Sequence, residues 1–197
     1  MLQVSEKVNH YAQNHACTHV LYCYENRESY LNNAVDYLVA GIENGESVIL
    51  IESERNLLSL MEILKGKLTE QQFEKIHTIS NFEFYLSHGS YHPPAIYEQL
   101  TKTVTPYFEN DIPFRTWTNV EWGTLQEPKK IVDWFEREVD KVVHEHDMTL
   151  VCAYDAEKMP AELQTVLEMS HPHIMTDEDL LNSISYETGK AKIEIGE

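Results

Sequence analysis

The stretch from residue 19 to residue 54, HVLYCYENRESYLNNAVDYLVAGIENGESVILIESE, limits the choice of fold more than any other part of the chain. It reads as strand, helix, strand. His19 to Tyr24 is a short, mostly apolar run rich in β-formers and too short for a helix. Asn26 or Ser29 can cap the helix that follows, whose Leu31, Ala34, Val35, Leu38, Val39 and Ile42 recur at helical spacing as one apolar stripe. Gly45 stands where a helix ends, because glycine takes the left-handed cap conformation without strain. Val48-Ile49-Leu50-Ile51 is apolar on both faces, as a covered parallel strand must be. A crossover of this kind is right-handed and lays its helix on the sheet. Ser53 then caps a further helix, expected to turn Leu57, Leu58, Met61 and Leu64 inward and to end at Gly66.

The alternation continues down the chain. Thr69 caps a short helix through Phe73, and residues 76–79 form a strand. Residues 80–94, aromatic and histidine-bearing, end in Pro93-Pro94, which excludes helix interior and central strand there, so the segment reads as a packed loop or lid. Helix resumes at Ala95 with Ile96, Leu100, Val104 and Phe108 inward. FRTWTNVE, residues 114–121, is a strand, and Pro128 opens a long helix with Ile131, Val132, Phe135, Val139 and Val142 or Val143 on its apolar face. Residues 149–154 are another apolar strand, Pro160 opens a helix carrying Leu163, Val166 and Leu167, and His173 to Met175 is a last short strand. The fold class is therefore α/β: a three-layer domain with a mostly parallel sheet and helices on both faces. A single domain over residues 1–197 is expected, with its core at about 15–175. Residues 1–14 form an arm whose Val4, Val8 and Tyr11 are spaced to dock, a partner chain being one acceptor; in the tail from 176, Ile193 and Ile195 could make an edge strand.

Composition narrows the function. A net charge of -18 repels phosphate backbones and anionic membranes, so no direct nucleic-acid or membrane partner is expected. The three cysteines, at 17, 23 and 152, are an odd count; Cys23 and Cys152 lie in apolar strand patterns and read as buried thiols in adjacent strands of a reducing cytoplasm. There is neither a signal peptide nor an apolar run long enough to span a bilayer.

Ligands in open parallel sheets bind beyond the carboxyl ends of the strands, which makes a constellation of scattered residues. Tyr24 and Glu25 follow the first strand, Glu52, Glu54 and Arg55 the second, Glu121 and Trp122 the WTNVEW strand, and Tyr154 and Asp155 the TLVCAY strand. With His19, these ten are the candidate ligand-binding residues. The ordinary polarity of solvated strand ends is the competing explanation. The carboxylates could also do acid/base work or hold a metal, but the sequence does not show any two to be close, and no catalytic residue is assigned. His15 and His19 with Cys17 and Cys23 match no standard zinc module, and His171-Pro-His173 reads as a turn into the last strand, so no metal and no cofactor is expected. A phosphate cradle is lacking too: there is no GxxxxGK[ST] or GxGxxG, the first strand runs into the acidic Tyr24-Glu25-Asn26-Arg27-Glu28, and GIENGE at 41–46 precedes a strand rather than following one.

The order H-x-x-Y-C-Y-E (19–25), amphipathic helix, AGIENGESVILI (40–51), LVCAYDAEKM (150–159) and HPHIM (171–175) resembles the MEDS family, the sensory domain of methanogen and methylotroph signalling proteins and of the dichloromethane-responsive regulator DcmR. The resemblance spans roughly residues 15–175 and implies a RecA/KaiC-like fold without a P-loop, used for sensing, with no catalytic residues to carry over. No appended helix-turn-helix or kinase module is expected, a departure from many members. The expectation is a non-catalytic cytoplasmic sensory domain. It would bind a small apolar or weakly polar ligand and signal through a regulatory protein partner or self-association as a homo-oligomer. The alternatives are an interaction module with a vestigial pocket and a divergent hydrolase using the strand-end carboxylates.

Overall fold

The structure is a computed structural model that describes residues 4–14, 17–122 and 128–186. The first crossover forms as its sequence dictates: β1 (Thr18–Tyr24), α2 (Arg27–Glu43) and β2 (Ser47–Glu52), preceded by α1 (Val4–Asn14). Asn26 is the cap of α2, its side-chain oxygen accepting from the Glu28 and Ser29 amides, and Gly45 carries φ +88° at the exit. Next come α3 (Glu54–Lys67), α4 (Glu70–Phe73), β3 (Ile76–Ser80), α5 (Asn81–Leu86), α6 (Pro93–Glu109) and β4 (Phe114–Asn119). The chain continues with α7 (Pro128–Glu145), β5 (Thr149–Asp155), α8 (Ala161–Ser170), β6 (His173–Met175) and β7 (Leu180–Asn182).

The strands form one sheet in the order β3-β2-β4-β5-β1-β6-β7, parallel throughout except for the antiparallel β7. One face packs on α1, α2 and α3 through Val20, Tyr22, Leu50, Trp117 and Val151; the other packs on α5 to α8 through Leu21, Ile49, Ile51, Cys152 and Tyr154. This is the three-layer α/β arrangement expected. Strand period two assigns the faces: in β5, Val151 and Ala153 point one way, Leu150, Cys152 and Tyr154 the other.

Several local expectations need correction. Residues 81–86 are helix, not loop: the Pro pair sits in the first turn of α6, where missing amide donors cost nothing, so helix on either side is permitted. Phe84, Tyr85 and Tyr91 from this region are core residues, which leaves little of a lid. Helix α3 runs through Gly66 and is turned differently from its leucine pattern; Asn56, Leu60 and Leu64 face inward while Leu58 is 77% exposed. Asn56 is drawn in because it donates to the buried Glu52 carboxylate (3.2 Å) and accepts from Arg27 (3.0 Å). The arm does not wait for another chain: Val4 and Val8 are buried in the chain's own α2-side core, and Tyr11 packs edge-on against His173. Ile193 and Ile195 lie outside the described residues. No helix among the described residues is long and apolar enough to cross a membrane.

Candidate functional site

The sheet order sends neighbouring strands to opposite faces. β1 and β2 run into α2 and α3, whereas β4 and β5 run into α7 and α8, so the pairs β1/β5 and β2/β4 diverge at their carboxyl ends. Such switch points are where open sheets bind ligands. Tyr24 stands there. Its hydroxyl accepts from Asn119 (3.2 Å) and its ring lies 4.2 Å from that of Tyr30. Burial pushes its pKa up to about 12, with the charges of Asp155, Glu52 and Glu121 adding to the rise and the Asn119 bond opposing it. Those three carboxylates therefore share one neighbourhood with Tyr24.

The strand-end residues nonetheless differ in setting. Glu52 is fully buried and accepts from the Tyr30 hydroxyl, the Ser53 amide (2.6 Å) and Asn56 (3.2 Å); burial raises its pKa and those bonds restrain the rise. Glu25, Glu54 and Arg55 are exposed. Asp155 pairs with Lys158 at 3.3 Å. Trp122 and Tyr154 stack on each other (centroids 5.7 Å) in the opposite, α5–α8 core. The aromatic residues thus line two layers rather than one cavity.

The turn between β1 and α2 is where a strand-to-helix phosphate cradle would lie. Here the donors are already used. The Asp177 carboxylate accepts from the Glu25 and Asn26 amides (3.3 and 2.9 Å) and from the Tyr22 hydroxyl (2.6 Å). The Asn26 side chain takes the Glu28 and Ser29 amides (2.8 and 3.1 Å).

His19 lies away from the strand ends, fully buried on the α7–α8 side. Its Nδ1 is 3.0 Å from the Asp140 carboxylate, and its Nε2 is 3.5 Å from Cys152 Sγ and 3.8 Å from Glu136 Oε2. The His171 ring stacks against it at 4.0 Å. Of the quartet weighed in the sequence, His15 lies outside the described residues; among the described ones His19 groups with Cys152 and not with Cys17 or Cys23, Cys17 and Cys23 being half-buried and Cys152 buried, all three as free thiols. Glu136 carried no sequence expectation. Its signal was there, because Val132, Glu136, Val139, Asp140 and Val143 share one helical stripe, an i, i+4 carboxylate pair inside an apolar face. Beside Glu136 and Cys152, a cavity of about 20 Å³ is walled by Ile51, Tyr85, Thr116, Phe135, Val139 and Leu150.

The fold and its strand-end geometry place the chain among RecA/KaiC-like α/β domains. Similar solved structures include an ATPase domain (13% identity, TM-score 0.51, covering 82% of this chain and 69% of that one). A KaiC-like protein from the archaeon Pyrococcus horikoshii is also similar (15% identity, TM-score 0.51, covering 82% and 71%). Residues 18–172 match the family model described as MEthanogen/methylotroph, DcmR Sensory domain, and the chain belongs to that MEDS family. No curated protein matches it.

Proposed function

We propose that the chain is a non-catalytic sensory domain, acting in the cytoplasm, that uses a KaiC-like framework without nucleotide. The observation that carries this reading is the β1–α2 turn, whose amide donors are held by the chain's own Asp177 and Asn26, so an incoming phosphate meets a carboxylate instead of free donors. The free cysteines support a reducing compartment. The small interior cavity supports an apolar or weakly polar ligand: its volume of about 20 Å³ suits one or two water-sized groups, and its wall is mostly apolar with Thr116, Thr118, Glu136 and Cys152 as polar points. Output passes to a regulatory partner or a second copy, a reading supported by the exposed Leu58 beside Leu57 and Met61 on α3.

Two probes of equal size and unequal polarity, chloromethane and methanol, test the ligand reading. Titration followed by NMR should give saturable shifts at Thr116, Thr118 and Cys152, lost when the cavity is filled by Val139→Leu. Absence of saturable shifts sinks the ligand site. Magnesium-dependent ATP turnover by the purified chain sinks the non-catalytic reading.

A further inference from the structure

We propose that His19, Glu136, Cys152 and His171 form a binding site for one divalent transition-metal ion of the zinc type, enclosed between the sheet and α7–α8. The four side chains come from β1, α7, β5 and the residue that ends α8, and one donor atom from each lies within 4.8 Å of all the others. The measured pairs are 3.5 Å (Cys152 Sγ to His19 Nε2), 3.6 Å (His171 Nε2 to Glu136 Oε2) and 3.8 Å (His19 Nε2 to Glu136 Oε2). Metal–ligand bonds of about 2.0–2.3 Å in a tetrahedron put N, O and S donors about 3.3–3.6 Å apart, a spacing these three pairs approach to within a few tenths of an ångström, while a pair at the 4.8 Å limit would draw in by up to about 1.5 Å.

The second observation is electronic. Glu136 Oε2 and His171 Nε2, on residues no more than 1% exposed, have no hydrogen-bond partner, and they face each other. His171 Nδ1 lies 2.8 Å from the Leu167 carbonyl, which can only accept, so Nδ1 carries the hydrogen and Nε2 presents a lone pair. His19 is fixed in the same sense by Asp140 at its Nδ1. Two acceptors that point at each other in a dry interior call for a cation between them. An ion bearing two positive charges, bound to the Cys152 thiolate, the Glu136 carboxylate and two neutral imidazoles, makes a site of zero net charge, the form that burial tolerates. The outer contacts are those that orient metal ligands: a carboxylate on one imidazole, a backbone carbonyl on the other, and the Tyr154 hydroxyl on Glu136 Oε1 (2.5 Å). Mixed N, S and O donors with four-fold geometry select zinc, cobalt or iron over magnesium and calcium. The site does not depend on any ligand in the neighbouring cavity.

Chelator-stripped full chain should take up one equivalent of zinc. With cobalt it should show thiolate-to-metal charge transfer and the strong visible bands of tetrahedral cobalt. Cys152→Ser should abolish the charge-transfer band, and Glu136→Gln or His171→Gln should weaken binding at least about ten-fold. Asp140→Asn, at a positioning residue, should weaken it about 10–100-fold while leaving the charge-transfer band in place. Cys23→Ser and His173→Gln should bind as the parent does. A folded parent chain that takes up no stoichiometric metal overturns the proposal, as does cobalt bound without a thiolate band; a proton on Glu136 is then the cation. Those two readouts use the parent chain and decide the matter even where a variant fails to fold.

Discussion

The two faces of the sheet treat buried polar groups differently. On the α1–α3 side the large ones are answered, and Thr18 Oγ1 alone of the described buried side-chain atoms there lacks a partner. Glu52 has three donors, the Trp117 indole donates to Tyr30 (2.9 Å), and Asn119 donates to Tyr24 (3.2 Å). Arg115, 1% exposed, is gripped by both Glu46 oxygens, Asn9 and the Tyr37 carbonyl. On the α5–α8 side Thr116 Oγ1, Tyr91 Oη, Glu136 Oε2 and His171 Nε2 are buried without partners, and Thr116 and Glu136 line a cavity. Unanswered groups cost stability and persist where something else uses them. The first face is architecture, and the second carries the proposed ligand and metal sites.

Adjacent residues in β4 offer the sharpest break of that contrast. Trp117→Ala removes a fully buried ring and one of the donors to Tyr30, and should cost about 3–5 kcal/mol in urea unfolding. Thr116→Val, one residue away on the other face, removes an orphan hydroxyl and should be neutral or stabilising by up to about 1 kcal/mol. Equal costs at the two positions would erase the distinction.

Glu46→Ala should cost about 2–3 kcal/mol, by leaving the Arg115 guanidinium buried and half-answered. The value falls short of a fully buried pair because Glu46 keeps 22% exposure. Gly41 belongs to the same lock: a Cβ there would lie 2.5 Å from Arg115 Nε, so the salt bridge and the bare backbone of α2 require each other.

The smallest effect is a pH dependence. Burial raises the Glu52 pKa, so the folded chain holds that proton more tightly than the unfolded chain does. Its contribution is greatest below the unfolded value of about 4.5 and declines as pH rises toward the folded pKa, by at most about 1.4 kcal/mol per pH unit. The stability of the parent relative to Glu52→Gln should decline over that window in denaturant titrations. A flat difference would mean that the three donors offset the burial, and a difference that grows with pH that they outweigh it.

Much of this was legible in the sequence. The 19–54 crossover, the Thr69 cap, the long helix from Pro128 and the strands down to His173 follow from period and punctuation. What escaped depends on strand order. β1 and β5 are adjacent, as the cysteine reading expected, but the register that brings Cys152 beside His19 is encoded locally in neither residue. His171 read as a turn and Asp177 as polar tail, because His171 meets Glu136 and His19, and Asp177 the β1–α2 turn, only once β6 lies on β1. Helix α5 was hidden by the prolines behind it, and Asn56 shows a hydrogen bond overriding a leucine stripe.

Asp177 has one further consequence. It stands two residues beyond β6, itself paired with β1, so its carboxylate is delivered to the β1–α2 turn as a tethered competitor. A tether this short gives an effective concentration on the order of millimolar or more. Any free anion approaching that turn must therefore outcompete a tethered carboxylate that already holds the Glu25 and Asn26 amides.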